Sequence, residues 1–173
     1  MIEMFVAGIT MDQAHSCPIL VLIDAQKQRA LPFWISPTDA SSMLSSLSGD
    51  QHSRPMTHEL TIDILNNVGW QIQDAEINEV KDDVLMASLR LKPREGSSIE
   101  GQDDLVIDAR PSDAVALALK AQAPILVSLE IVANATIPAD FKKDKNSAEQ
   151  FERFVQDLKA SDFNTITKRE RGS

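Results

Sequence analysis

Two short stretches of this chain hold more ionisable side chains than turn formation requires: Arg54-Pro55-Met56-Thr57-His58-Glu59 and Asp108-Ala109-Arg110-Pro111-Ser112-Asp113. Each stands at the expected start of a helix, where unpaired backbone N–H groups and the positive end of the macrodipole attract anions. A guanidinium beside such a terminus suits phosphate or carboxylate, so Arg54, Thr57, Arg110 and Ser112 are the candidate binding residues. Asp108 and Asp113 carry hard oxygen ligands and are the candidate metal ligands, for Mg2+ or Mn2+. His58, between an Arg and a Glu, can act as general base or metal ligand. The candidate catalytic set is therefore His58, Glu59, Asp108 and Asp113. His58 and Glu59 are adjacent, so they leave a helix on different sides and need not act together. A plainer reading stands beside this one. An Asp108–Arg110 or Arg110–Asp113 ion pair can simply fix the turn, with His58 a partly buried hydrogen-bonded residue.

The elements that must position these residues follow from hydrophobic periodicity. Residues 2–11, 19–23 and 30–35 read as strands, with Pro32 arguing for an edge or a bulge in the third. A helix follows in which Ala40, Met43, Leu44 and Leu47 recur at i, i+3, i+4, i+7, ending at Gly49. A second helix spans Thr57–Val68, with Thr57 as N-cap, an inner stripe of Leu60, Ile64, Leu65 and Val68, and Gly69 as C′ residue. Trp70–Val80 and Val84–Leu91 form a hairpin around Lys81-Asp82-Asp83. Pro93–Asp104 is a polar loop expected to be mobile. A strand over 105–109, a helix over 111–121 and a buried strand over 124–128 follow. A charged connector leads to a last helix near 147–159, with Phe151, Phe154, Val155 and Leu158 on one face. Residues 161–173 read as a disordered tail. The division is thus 1–135 as the main domain, 136–160 as connector and C-terminal helix, and 161–173 as tail.

Pro37-Thr38-Asp39-Ala40 recurs as Pro111-Ser112-Asp113-Ala114, each copy following a strand and opening an apolar helix. The pattern points to an internal duplication of a hairpin, strand and helix unit. Pro presets φ, the hydroxyl caps N–H groups and the Asp meets the macrodipole, so both copies also have a purely local cause. Only the second copy is charged upstream: Asp108 and Arg110 replace Trp34 and Ser36. The fold class expected is α+β, a mixed sheet with helices packed against it.

At 173 residues with 43% hydrophobic and 25% charged content, the chain has ordinary globular composition. Net charge is −9, from 17 basic and 26 acidic side chains, which weighs against broad, sequence-independent nucleic-acid binding. Lys142, Lys143 and Lys145, and Lys168, Arg169 and Arg171, read as solvated clusters. The single Cys17 forms no internal disulfide, so a reducing compartment, the cytoplasm, is the expected home. The N-terminus lacks a basic flank before its apolar run, and no stretch is long enough to span a bilayer, so no membrane role is expected. No Gly-rich phosphate loop, G-x-S-x-G elbow or H-E-x-x-H pair is present. His15 and His52 lie in expected loops.

Residues 54–60, Arg-Pro-Met-Thr-His-Glu-Leu, resemble the R-P-x-T-H-[DE]-L segment of the bifunctional nuclease domain family, and 108–119, Asp-Ala-Arg-Pro-Ser-Asp-Ala-Val-Ala-Leu-Ala-Leu, resemble its most distinctive stretch. Leu31-Pro32-Phe33-Trp34-Ile35 resembles the strand before that family's first helix, and the resemblance spans roughly 2–132. The helix near 151–163 resembles a common C-terminal extension. The resemblance implies a compact α+β domain that self-associates, a dimer being the simplest form, with nuclease activity reported for some members on DNA and RNA. Here Ser36 stands where Gly is usual, and Asp39 and Glu59 where Glu and Asp are usual. Two functions are weighed. One is a metal-dependent phosphodiester hydrolase in which Asp108 and Asp113, with Glu59, hold the cation, Arg54 and Arg110 meet phosphate and His58 moves a proton. The other is a non-catalytic regulatory module that binds an anion or a protein partner.

Overall fold

The computed structural model describes residues 1–12, 16–48, 53–82 and 84–138. His15, Gly49, His52, the helix near 147–159, the tail and both Lys/Arg clusters lie outside the described residues.

β1 (Ile2–Asp12), β2 (Cys17–Asp24) and β3 (Arg29–Trp34) form an antiparallel meander, followed by α1 (Pro37–Ser48) and α2 (Thr57–Asn67). β4 (Trp70–Lys81), β5 (Val84–Pro93) and β6 (Leu105–Ala109) form a second meander, followed by α3 (Pro111–Ala121). β7 (Ile125–Val127), α4 (Leu129–Ala135) and the two-residue β8 (Ile137–Pro138) complete the fold. The eight strands make one mixed sheet in the order β6-β5-β4-β7-β1-β2-β3-β8. β7 joins the meanders, antiparallel to β1 and parallel to β4. The class is α+β, as expected. Element order repeats between the meanders, but a duplication is not confirmed beyond that order and the short motif.

The strands follow from their residues. Pro18–Leu22 of β2 are buried in succession, which requires cover on both faces of that strand. On β5, Ala87, Leu89 and Leu91 enter the core beside Ala75 and Ile77 of β4, while Arg90 turns to Asp74 and Glu76 on the opposite face. Pro32 sits opposite Val21, beyond the short reach of β8, which pairs only with Arg29 and Ala30. Its missing N–H therefore costs the sheet nothing, and the expected edge position holds.

The helix layer is centred on α3, which packs on β4 and β5 and touches both α1 and α2. Residues Ala114–Ala118 are all buried. The apolar stripes of the other helices are oriented differently from expectation. On α1, Ala40 and Met43 are buried but Leu44 and Leu47 are half exposed. On α2, Leu60, Ile64 and Val68 face outward; Leu65 packs on the core as expected, joined there by Ile62. This helix has apolar residues on two faces, so periodicity alone allows either to be inner. His58, Ile62 and Leu65 share one face at i, i+4, i+7, and the contacts of His58 select it.

Helix starts also differ. Ser36, not Thr38, caps α1, its Oγ accepting from Asp39 N at 3.1 Å. α2 starts with Met56 in the cap position and Thr57 already helical, closed by Glu59 Oε2 accepting from Met56 N at 2.8 Å. α3 has Arg110 in the cap position, Pro111 at its first turn and no side-chain cap, so Ser112 does not cap either. Gly69 does end α2, at φ +89°; a Cβ there would lie 3.0 Å from Ile99 Cγ1. The connector after 128 holds an unexpected helix, α4, capped by Ser128 Oγ accepting from Ile131 N. The expected loop over 93–104 is drawn into successive backbone turns at Ser97, Glu100 and Gln102.

Candidate functional site

The two charged motifs meet in space, at the junction of α1, α2 and α3. Arg110 leaves β6 and stands before α3, three residues from Asp113, a spacing that lets the guanidinium fold back over the first helical turn. Its Nε donates to Asp113 Oδ2 at 2.6 Å and its Nη2 to Asp113 Oδ1 at 2.9 Å. The same Nη2 lies 3.4 Å from Oδ1 of Asp39 in α1. One guanidinium thus ties the starts of α1 and α3 together. It remains 63% exposed, so its remaining N–H donors face solvent.

His58, the second residue of α2, completes the junction. Its Nδ1 lies 2.9 Å from Ser42 Oγ on α1, and its Nε2 lies 3.5 Å from Asp113 Oδ1. The Arg110 guanidinium donating to Asp113 holds that carboxyl below the usual carboxylate range, against the opposing effect of burial. Asp113 is therefore ionised and can only accept, which places the neutral imidazole proton on Nε2 and leaves Nδ1 to accept from the Ser42 hydroxyl. The order Ser42–His58–Asp113 is that of a hydroxyl, a base and an orienting carboxylate, with the two ring nitrogens exchanged relative to the serine-protease triad. A proton leaving Ser42, or a water hydrogen-bonded to it, can pass to Nδ1, and the resulting imidazolium faces Asp113. Next to this relay, Arg110 offers a charge for an anion. The reverse pull of the two carboxylates drives the Arg110 pKa further upward, with the Asp113 hydrogen bond the largest cause.

Glu59 points elsewhere. Its Oε1 accepts from Lys120 Nζ of α3 at 2.6 Å while Oε2 closes the α2 start, so it clamps α2 to α3. Thr57 is exposed at the first position of α2, and Ser112 is buried beneath the α3 start. Arg54 is exposed and makes no ion pair among the described residues. Asp108 is exposed on β6 opposite Ser88. Its neighbours Ile107 and Ala109 pair with the core residues Leu89 and Ala87, so strand alternation turns Asp108 to the sheet face away from the helices. The structure therefore brings together His58, Arg110 and Asp113 and turns Asp108 to the other face of the sheet, while Arg54 forms no ion pair with them among the described residues.

That separation bears on a cation. Both oxygens of Asp113 are occupied by Arg110, and Asp108 lies across the sheet. Among the described residues no group of three His, Cys, Asp or Glu side chains is placed to hold a metal ion. The Asp108–Asp113 pair as folded does not fit Mg2+ or Mn2+, which require several convergent oxygens.

Three participants were not singled out from sequence for this site. Ser42 is one of five serines on α1, and nothing in its neighbourhood distinguishes it. Lys120 lies 61 residues from Glu59 in sequence and reads as a helix-terminal cation. Asp39 carried one signal, its correspondence to Asp113 in the repeated motif.

An α+β domain with a charged junction of three helix starts over a mixed sheet is the class defined so far. Residues 20–140 match the model of the bifunctional nuclease domain, and the chain belongs to that family. It is similar to two uncharacterized proteins of Mycobacterium tuberculosis, MT1877 of strain CDC 1551 / Oshkosh and Rv1829 of strain ATCC 25618 / H37Rv. Each is 29% identical over 169 residues, covering 93% of this chain and 97% of the relative. No helix among the described residues is long and apolar enough to cross a membrane.

Proposed function

We propose that this chain hydrolyses phosphodiester bonds in DNA or RNA, with the junction of α1, α2 and α3 as its active site. The observation that carries the reading is the Ser42–His58–Asp113 relay lying beside the exposed guanidinium of Arg110. Arg110 meets the phosphate and its developing charge. If a water held by Ser42 attacks, its proton passes to His58 Nδ1 and is returned to the leaving oxygen. If Ser42 Oγ attacks, the same transfer releases the leaving oxygen and leaves a phosphoserine ester; a water then cleaves it, with His58 again taking the proton and returning it to Ser42. Family membership supports the substrate class. The cytoplasm, as a reducing compartment, suits the partly buried free thiol of Cys17.

The test is cleavage of single-stranded DNA and RNA by the purified full chain, with EDTA, Mg2+ and Mn2+ as separate arms. Cleavage lost in a folded His58→Gln variant is the expected result. An Asp108→Ala/Asp113→Ala pair, made also as single variants, separates the arms: Asp113→Ala should lower activity, while Asp108→Ala should do so only if a cation draws on that residue. The net charge of −9 favours the second reading, a regulatory module that holds an anion or partner at Arg110. Retention on nucleic acid without any hydrolysis would replace the first reading by this one.

A further inference from the structure

The contacts of the helix junction close into a ring. Ser42 Oγ meets His58 Nδ1 at 2.9 Å, His58 Nε2 faces Asp113 Oδ1 at 3.5 Å, and that oxygen accepts from Arg110 Nη2 at 2.9 Å. The same Nη2 lies 3.4 Å from Asp39 Oδ1. Asp39 stands three residues before Ser42 on one face of α1, a spacing that sets their Cβ atoms about 5–6 Å apart. The guanidinium that meets phosphate is thus one helical turn from the Ser42 hydroxyl. Two observations then single out Ser42. A serine inside a helix commonly returns its hydroxyl to the carbonyl four residues back. Ser46 and Ser48 do so, donating to Ser42 O at 2.9 Å and to Leu44 O at 2.8 Å, whereas Ser42 directs its hydroxyl off the helix to His58. The imidazole supplies the second observation. Its Nε2 carries the proton that faces Asp113, so Nδ1 offers one lone pair, and the Ser42 hydroxyl fills it. A water reaches that base only through Ser42.

We propose that Ser42 Oγ is the attacking atom and that strand cleavage passes through a phosphoserine diester at Ser42, an inference that rests on the phosphodiesterase reading above. In the first step the bond from Oγ to phosphorus forms and the bond from phosphorus to the leaving oxygen breaks. The Ser42 proton passes to His58 Nδ1 and from there to the leaving oxygen. Esterified, Ser42 no longer holds Nδ1, which becomes free to accept from a water. In the second step that water attacks phosphorus and gives its proton to Nδ1. The bond from phosphorus to Oγ breaks, and the proton returns to Ser42. Nothing is oxidised or reduced, and the enzyme is regenerated. Because the protein supplies the nucleophile, the 2′-hydroxyl of RNA is not required, and DNA is cut by the same route.

Two displacements return phosphorus to its original configuration, whereas direct attack by water inverts it. The full chain should therefore cut a DNA oligonucleotide bearing one phosphorothioate of known configuration with net retention, read in isotopically labelled water. Diisopropyl fluorophosphate, a trap for activated serines, should modify Ser42 in the wild type and leave it unmodified in His58→Gln, as read by peptide mass. Ser42→Ala should fold and lose cleavage by about 10³-fold or more. Inversion at phosphorus would overturn Ser42 as the nucleophile and leave hydrolysis by a water standing. So would an unmodified Ser42 in the wild type, or undiminished cleavage by Ser42→Ala. The trapping arm uses no nucleic acid, so the two readings fail separately. A modified Ser42 in a chain that cuts neither DNA nor RNA would overturn the nucleic-acid reading and with it the phosphoserine diester, leaving an activated serine for another ester.

Discussion

Replacing Arg110 by Ala separates a catalytic from an architectural guanidinium. The fork onto Asp113 is removed, along with the longer contact to Asp39. Because the side chain is 63% exposed, solvent screens the Asp113 pair to roughly 0.2–1 kcal/mol. Asp39 is nearly buried, at 9% exposure, and losing its nearby cation adds about 1 kcal/mol more for a carboxylate held partly out of water. The total, about 1–2 kcal/mol, corresponds to a melting temperature lowered by roughly 2–8 °C in a chain of this size. If Arg110 stabilises charge on a reacting phosphate, cleavage should fall by about 10²–10³, or roughly 2.7–4 kcal/mol of barrier. The catalytic effect therefore exceeds the structural one, and the variant should be folded and nearly inactive. Calorimetry and cleavage of an end-labelled RNA read the two quantities on the same preparation. Arg110→Lys should keep the fold but recover little activity, since an ammonium cannot make the fork. A melting temperature lowered by much more than 10 °C would make the residue architectural, and unchanged cleavage in a folded Arg110→Ala protein would refute the anion-binding argument.

Other consequences are structural. Lys120→Met takes the ammonium away from Glu59 and should lower the urea midpoint by about 1–2 kcal/mol of stability with an unchanged m-value, because both side chains are more than two-thirds buried. Gly69→Ala forces a side chain into φ +89° and against Ile99, so it should cost about 1–2 kcal/mol in the same assay. Asp74 has its pKa raised, chiefly by burial and against the pull of Arg90. A raised carboxylate favours the folded state when protonated, so this group's contribution to stability grows as pH falls through its folded pKa and is unfavourable above it. Asp74→Asn should therefore be neutral or stabilising at pH 7 and flatten the stability profile toward acid. A marked loss of stability at pH 7 would refute that sign. Arg90 keeps its ion pair with Glu76 in the variant.

Local chemistry was readable along the chain. The β4–β5 hairpin, the end of α2 at Gly69, the edge character of Pro32 and the α+β class all follow from residues close in sequence, because turns, caps and strand alternation act over a few positions. The two charged motifs were also visible, since no packing requirement accounts for Asp108, Arg110 and His58. Tertiary structure decided which of these residues share a site. Ser42 reaches His58 across 16 residues and Arg110 reaches Asp39 across 71, separations over which no periodic pattern carries information. It also decided which side of α2 turns inward: Leu60, Ile64 and Val68 and the pair Ile62 and Leu65 satisfy the same periodicity, and only contacts with α1 and α3 break the tie. Asp108 and Arg110 are two residues apart and would leave a regular strand on one face. The chain turns into α3 between them, so one carboxylate stays on the far side of the sheet while the guanidinium swings over the helices. Side-chain type is inscribed in the sequence; direction in space is set by the elements packed around it.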